Sequence, residues 1–125
     1  MPVERLREII ETRVHNPDAI AEAAAKRVKA ASPVGENGKA MIIAADHTAR
    51  GALRSGDRPM AMADRADLLD RLCTALSRPG VTGVLATADI LDDLLLLGVL
   101  DGKSVYGSMN RGGLAGASWE MDDRF

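Results

Sequence analysis

The chain has a single cysteine, Cys73, so it can form neither an internal disulfide nor a cysteine-based metal knuckle. Nothing in it calls for an oxidising compartment, and a cytoplasmic address is expected. One tryptophan, one tyrosine and one phenylalanine leave almost no rings on which nucleic-acid bases can stack. An excess of one charge is missing too: 16 basic against 18 acidic side chains give a net charge of -2, with no general pull toward nucleic acid or an anionic membrane. Neither is expected as a partner. The most apolar run, 94–100, is far shorter than the roughly 18 to 20 residues of a membrane span. Residues 1–14 interleave charges with apolar side chains and hold no secretory apolar core.

What remains is a chain of 125 residues, 46% hydrophobic and 27% charged, the composition of one globular domain. Val3, Leu6, Ile9, Ile10 and Val14 recur at helical spacing and predict a first helix. Asn16-Pro17-Asp18 interrupts it, and an alanine-rich second helix is expected over 17–31. Turn formers fill 32–38, so residues 1–38 read as a helical leader and linker.

From Lys39 the pattern changes to short apolar runs separated by amphipathic stretches. Strands are expected at 40–45, 81–86 and 104–107, each covered on both faces, with helices at 62–77 and 88–97. Asp92 and Asp93 are expected on the wet side of the second of these helices, with Asp89 as its cap. Strand, helix, strand, helix, strand is the signature of parallel βαβ units, and the fold class is α/β. Ligands of such sheets bind where strands hand over to loops at their carboxyl ends. Three segments therefore matter: Asp46-His47 with its loop, Thr87 to Asp89, and the run after the third strand.

Asp46 and His47 end the first apolar run, where a carboxylate or an imidazole can move a proton or orient a hydroxyl. The same positions also suit a loop cap and a satisfied polar residue. The following loop carries Arg50, Arg54 and Arg58, able to clamp a phosphate or carboxylate or simply to be solvated. Residues 107–116 combine glycines with Ser108, Asn110 and Arg111, groups that suit an anion. This run is not a P-loop, because Gly113 and Leu114 stand where Lys and Ser/Thr are required. Thr87, Asp89, Asp92 and Asp93 are read as helix-start residues rather than a metal site, and no metal is expected. Cys73 reads as a core residue and His15 as a helix end.

The Asp46-His47-Thr48-Ala49-Arg50-Gly51 segment, the strand-end Thr87 and the Asn110-Arg111-Gly112-Gly113-Leu114-Ala115-Gly116 segment together resemble the opening of class I aldolases with a (β/α)8 barrel. The nearest group is the deoxyribose-phosphate aldolase-like branch found among inositol-catabolism genes. The resemblance implies that residues 39–125 are the first three strands and two helices of a TIM barrel, and that the chain is an N-terminal fragment. It implies a lyase that forms an imine with a phosphorylated sugar or sugar-acid without a further cofactor, homo-oligomeric at full length. Asp46 and His47 would be catalytic, and Arg50, Thr87, Ser108, Asn110 and Arg111 would hold the substrate. The imine-forming lysine has no counterpart: Lys26 and Lys29 lie on the leader, while Lys39 and Lys103 precede strands. This chain alone is therefore expected to be inactive as an aldolase. The competing expectations are a small anion- or nucleotide-binding α/β module without catalysis, and an interaction protein whose open sheet edges pair with another chain.

Overall fold

The computed structural model describes residues 3–109. The order of elements is α1 (Val3–His15), α2 (Asp18–Lys26), β1 (Ile42–Ala44), a single 3-10 turn (His47–Arg50), α3 (Arg65–Leu76), β2 (Gly83–Ala86), α4 (Ala88–Leu96) and β3 (Ser104–Gly107). The strands are parallel and lie in sequence order, β1-β2-β3. In register, Ile43, Val84 and Val105 form one row, and Ala44, Leu85 and Tyr106 the next. Because side chains alternate across a strand, these two rows face opposite sides of the sheet.

One side carries the core. Leu69, Leu72 and Leu76 of α3 and Ile90 and Leu94 of α4 pack on Ala45, Val84 and Ala86, and Leu100 closes the cluster. Full burial of each such leucine contributes about 1.5 to 3 kcal/mol. The starts of both helices are set locally. The Asp64 carboxylate accepts from the Asp67 amide to begin α3, and Thr87, not Asp89, is the residue that precedes α4.

The other side is open. Ile42 is 38% exposed and Ala44 is exposed, with Leu85 and Tyr106 only half-buried. The strands are thus not covered on both faces as their unbroken apolarity suggests; among the described residues the helices occupy one face only.

The leader packs on this unit through specific bonds. After Lys26 the chain leaves the helix, and the Asp101 carboxylate accepts from the Val28 amide at 2.8 Å while the Val28 carbonyl accepts from the Gly102 amide at 2.7 Å. Arg27 donates to the Lys103 carbonyl at 3.1 Å. These contacts with the turn before β3 end α2 five residues short of the expected 17–31, since extended backbone at Arg27 gains partners that a continued helix would not have.

Candidate functional site

The carboxyl edge of the sheet brings together residues distant in sequence. The ladder continues one step past the strands: the Ala45 amide donates to the Leu85 carbonyl at 2.7 Å, and the Ser108 amide to the Ala86 carbonyl at 3.0 Å. This fixes Asp46 and Ser108 at the same rim, on the two strands that flank β2. The Ser108 hydroxyl donates to Asp46 Oδ2 at 3.3 Å. Two parallel strands separated by a third lie about 9.5 Å apart, so this contact requires both side chains to reach toward each other across the end of β2.

Arg50 completes the cluster. The 3-10 turn carries residue 50 back over residue 46, and Arg50 Nη2 lies 3.5 Å from Asp46 Oδ1. Gly51 ends the turn with φ of 74°, a left-handed conformation that favours glycine. The Asp46 side chain is only 14% exposed, yet both its contacts are long for charge-assisted bonds, which normally fall near 2.7–2.9 Å. Arg50 Nε is buried and has no hydrogen-bond partner among the described residues. The rim therefore has donor and acceptor capacity left over. His47 is half-buried, and its carbonyl accepts from the Ala52 amide at 3.0 Å; the Asp46 carboxylate turns to Arg50 and Ser108 rather than to its neighbour.

Thr87, at the end of β2, has a different partner. It is buried, and its hydroxyl bonds the Asp89 carboxylate. Asp89 in turn pairs with Arg65 at 2.7 Å. Arg65 also reaches Asp93 Oδ2 at 2.7 Å, and Arg13 of α1 reaches Asp93 Oδ1 at 2.7 Å. Asp93, expected on the wet side of α4, is 1% exposed. Two guanidiniums take its two oxygens, which is what makes a buried carboxylate tolerable. Burial alone would raise the Asp89 carboxyl, but the Thr87 hydroxyl and Arg65 outweigh it and hold it below the ordinary range. Asp92 goes the other way: burial first, then the neighbouring carboxylates, raise it despite Arg13. The sequence reading missed Arg13 and Arg65. One signal was available, since Arg65 opens α3, where the helix dipole disfavours a cation.

Asn110 and Arg111 lie outside the described residues. Burial, then the Asp70 charge, push the Cys73 thiol up, consistent with its packing against the core. His15 pairs with Glu11 on the exposed face of α1. A cavity of about 390 Å³ lies at the opposite, amino-terminal end of the sheet between Gly35, Asn37, Thr82 and Gly102. Its lining carries no ionisable side chain except that of exposed Glu36. What singles out the Asp46 rim is a partly buried ion pair with an unpartnered guanidinium nitrogen among the described residues.

Fold and rim together define an α/β protein with a parallel sheet and a polar carboxyl edge. A family model described as Cgl0159-like matches residues 38–125. A crystal structure of Cgl0159 from Corynebacterium glutamicum (Brevibacterium flavum) is 54% identical, with a TM-score of 0.90 over 100% of this chain. The chain belongs to the Cgl0159-like family, and it spans 42% of the length of that relative. No curated protein matches. These findings overturn the resemblance to class I aldolases. The segments from Asp46 to Gly51 and from Asn110 to Gly116, which suggested it, fall within the part matched by the Cgl0159-like family, and no aldolase family matches. The lyase and Schiff-base chemistry and the place in inositol catabolism that followed from the resemblance are set aside with it. Among the described residues no helix is long and apolar enough to cross a membrane.

Proposed function

We propose that the carboxyl rim formed by Asp46, Arg50 and Ser108 binds a small phosphorylated molecule. Arg50 meets the anionic group and Asp46 accepts a hydroxyl of the ligand. The observation that carries this reading is the under-used pair itself: Asp46 and Arg50 are partly withdrawn from water, separated by 3.5 Å, with Arg50 Nε unpartnered among the described residues. Buried polar groups without partners are uncommon and call for an explanation, and an anion supplies one. The Arg13–Asp93–Arg65 cluster offers the contrast, because its carboxylate is saturated by close bonds.

We further read the three strands as part of a closed barrel of eight parallel strands. Sequential order of parallel strands and a relative more than twice as long support this. Phosphorylated sugars and sugar-acids, which carry both an anion and hydroxyls, are the ligand class that fits.

Titration calorimetry with glucose 6-phosphate tests the reading. Saturable binding that weakens at least tenfold, about 1.4 kcal/mol, in Arg50→Ala is expected. Absence of binding, or binding indifferent to Arg50→Ala, would overturn it.

A further inference from the structure

The connection that carries Arg50 continues as an ordered ribbon. The Leu53 carbonyl accepts from the Met62 amide at 3.0 Å, and Ser55 and Arg58 exchange amide-to-carbonyl bonds of 3.0 and 3.1 Å as an antiparallel bridge. Gly56 turns the hairpin with φ of 60°. Leu53 is half-buried at the base, while Arg54 and Arg58 are exposed on the ribbon. A βα connection normally takes about 2 to 6 residues. This one is much longer, and the extra residues form structure of their own.

Among the described residues neither Arg54 nor Arg58 is in an ion pair, and Arg54 has only the Gly56 carbonyl, at 3.4 Å. The acidic groups nearby in sequence are mostly engaged: Asp64 holds the start of α3, and Asp46 faces Arg50 and Ser108. Asp57 sits in the hairpin turn and is exposed. Arg13, Arg65 and Arg71, by contrast, are each paired with a carboxylate at 2.7 to 2.9 Å. Arg50, Arg54 and Arg58 follow one another at four-residue steps. Four residues of chain span at most about 14 Å, and the turn at Gly51 shortens that. The backbone positions of Arg50 and Arg54 are thus less than about 14 Å apart, within the reach of a sugar that bears an anion at each end.

We propose that Arg54 and Arg58 form a second anion subsite beside the rim and give the protein a preference for ligands with two negative groups over otherwise identical ligands with one. This rests on the rim being an anion site. The rim engages the first phosphate and a hydroxyl; the ribbon engages the second phosphate through guanidinium donors suited to its geometry.

The experiment compares glucose 6-phosphate with glucose 1,6-bisphosphate on the unaltered chain and on the Arg54→Ala/Arg58→Ala double variant. On the unaltered chain the bisphosphate is expected to bind at least tenfold more tightly. In the double variant that advantage falls to about twofold or less, while glucose 6-phosphate binds as before. Both substituted side chains are exposed, so the fold is kept, and unchanged monophosphate binding demonstrates it. Equal affinity for the two ligands on the unaltered chain, or an advantage that survives in the double variant, overturns the ribbon subsite and leaves the rim standing. Failure of both ligands to bind the unaltered chain overturns the rim and the ribbon together.

Discussion

Arg13 of α1 and Asp93 of α4, 80 positions apart, meet at 2.7 Å with the carboxylate almost wholly out of water. Arg65 takes the second oxygen, so three helices converge on one side chain. Replacing Asp93 by Ala removes the charged hydrogen bonds to two guanidiniums that are only partly exposed, a loss of about 1.5 to 3 kcal/mol. Urea denaturation should show it, and Asp92→Ala, whose side chain is 36% exposed and lies 3.8 Å from Arg13, should change stability by less than about 1 kcal/mol. Equal effects from the two variants would mean that Asp93 does not anchor the helices.

Asp46 should behave in the opposite way. Its contacts are long, so Asp46→Asn is expected to alter stability by less than about 1 kcal/mol. Its effect belongs to ligand choice. The variant should bind inorganic phosphate as well as the parent, since a negative charge has been removed beside the anion. The advantage of glucose 6-phosphate over inorganic phosphate should shrink. Calorimetry with the two ligands checks this, and an unchanged ratio contradicts a role for Asp46 in holding the hydroxyl.

The acid cluster gives a pH dependence with two opposing parts. Asp89 is held below the ordinary carboxyl value, so its contribution is present above the unfolded-state pKa of about 3.9 and is lost as pH falls through its lower folded value. Asp92 is raised, so its contribution is present at acid pH and is lost as pH rises through its folded value. Asp89→Asn should therefore lower the urea midpoint at pH 7 and narrow the gap between pH 7 and pH 3. Asp92→Asn should raise the midpoint at pH 7 and have less effect at pH 3. A pair of variants with the same sign at pH 7 would contradict the assignment.

Gly83 opens β2 against β3. A Cβ built there falls 2.6 Å from the Ser104 carbonyl oxygen, a backbone atom that cannot rotate away. Gly83→Ala should cost about 1 to 3 kcal/mol through forced separation of the strands, measured again by urea denaturation. A Cβ at Gly107 meets nothing within 4 Å among the described residues, and Gly107→Ala should be far milder.

Much of the fold was legible because it is local. Ser104–Gly107 is the third strand with the bounds its apolar run and flanking turn predicted, and α3, at Arg65–Leu76, falls within the helix expected over 62–77. β1 begins at Ile42 rather than at residue 40 because the Met41 amide donates to the Thr82 hydroxyl instead of joining the ladder. α2 stops early and Asp93 is buried for a different reason: their partners, Asp101 and Arg13, come from remote parts of the chain, and no periodicity records such pairs. At the rim, Asp46, Arg50 and Ser108 were nameable from their places beside strand ends, and the structure brings them together. Thr87 was equally well placed in sequence, yet it turns to Asp89, because the hydroxyl of a buried threonine needs a partner and the helix start supplies one.

The central claim concerns location, so amide chemical-shift mapping by NMR tests it most directly. With glucose 6-phosphate added to the labelled chain, the account predicts saturable shifts concentrated at residues 45–51 and 107–108, and reduced in Arg50→Ala. Shifts centred instead on residues 35–37, 80–82 and 102, around the cavity at the far end of the sheet, would contradict it.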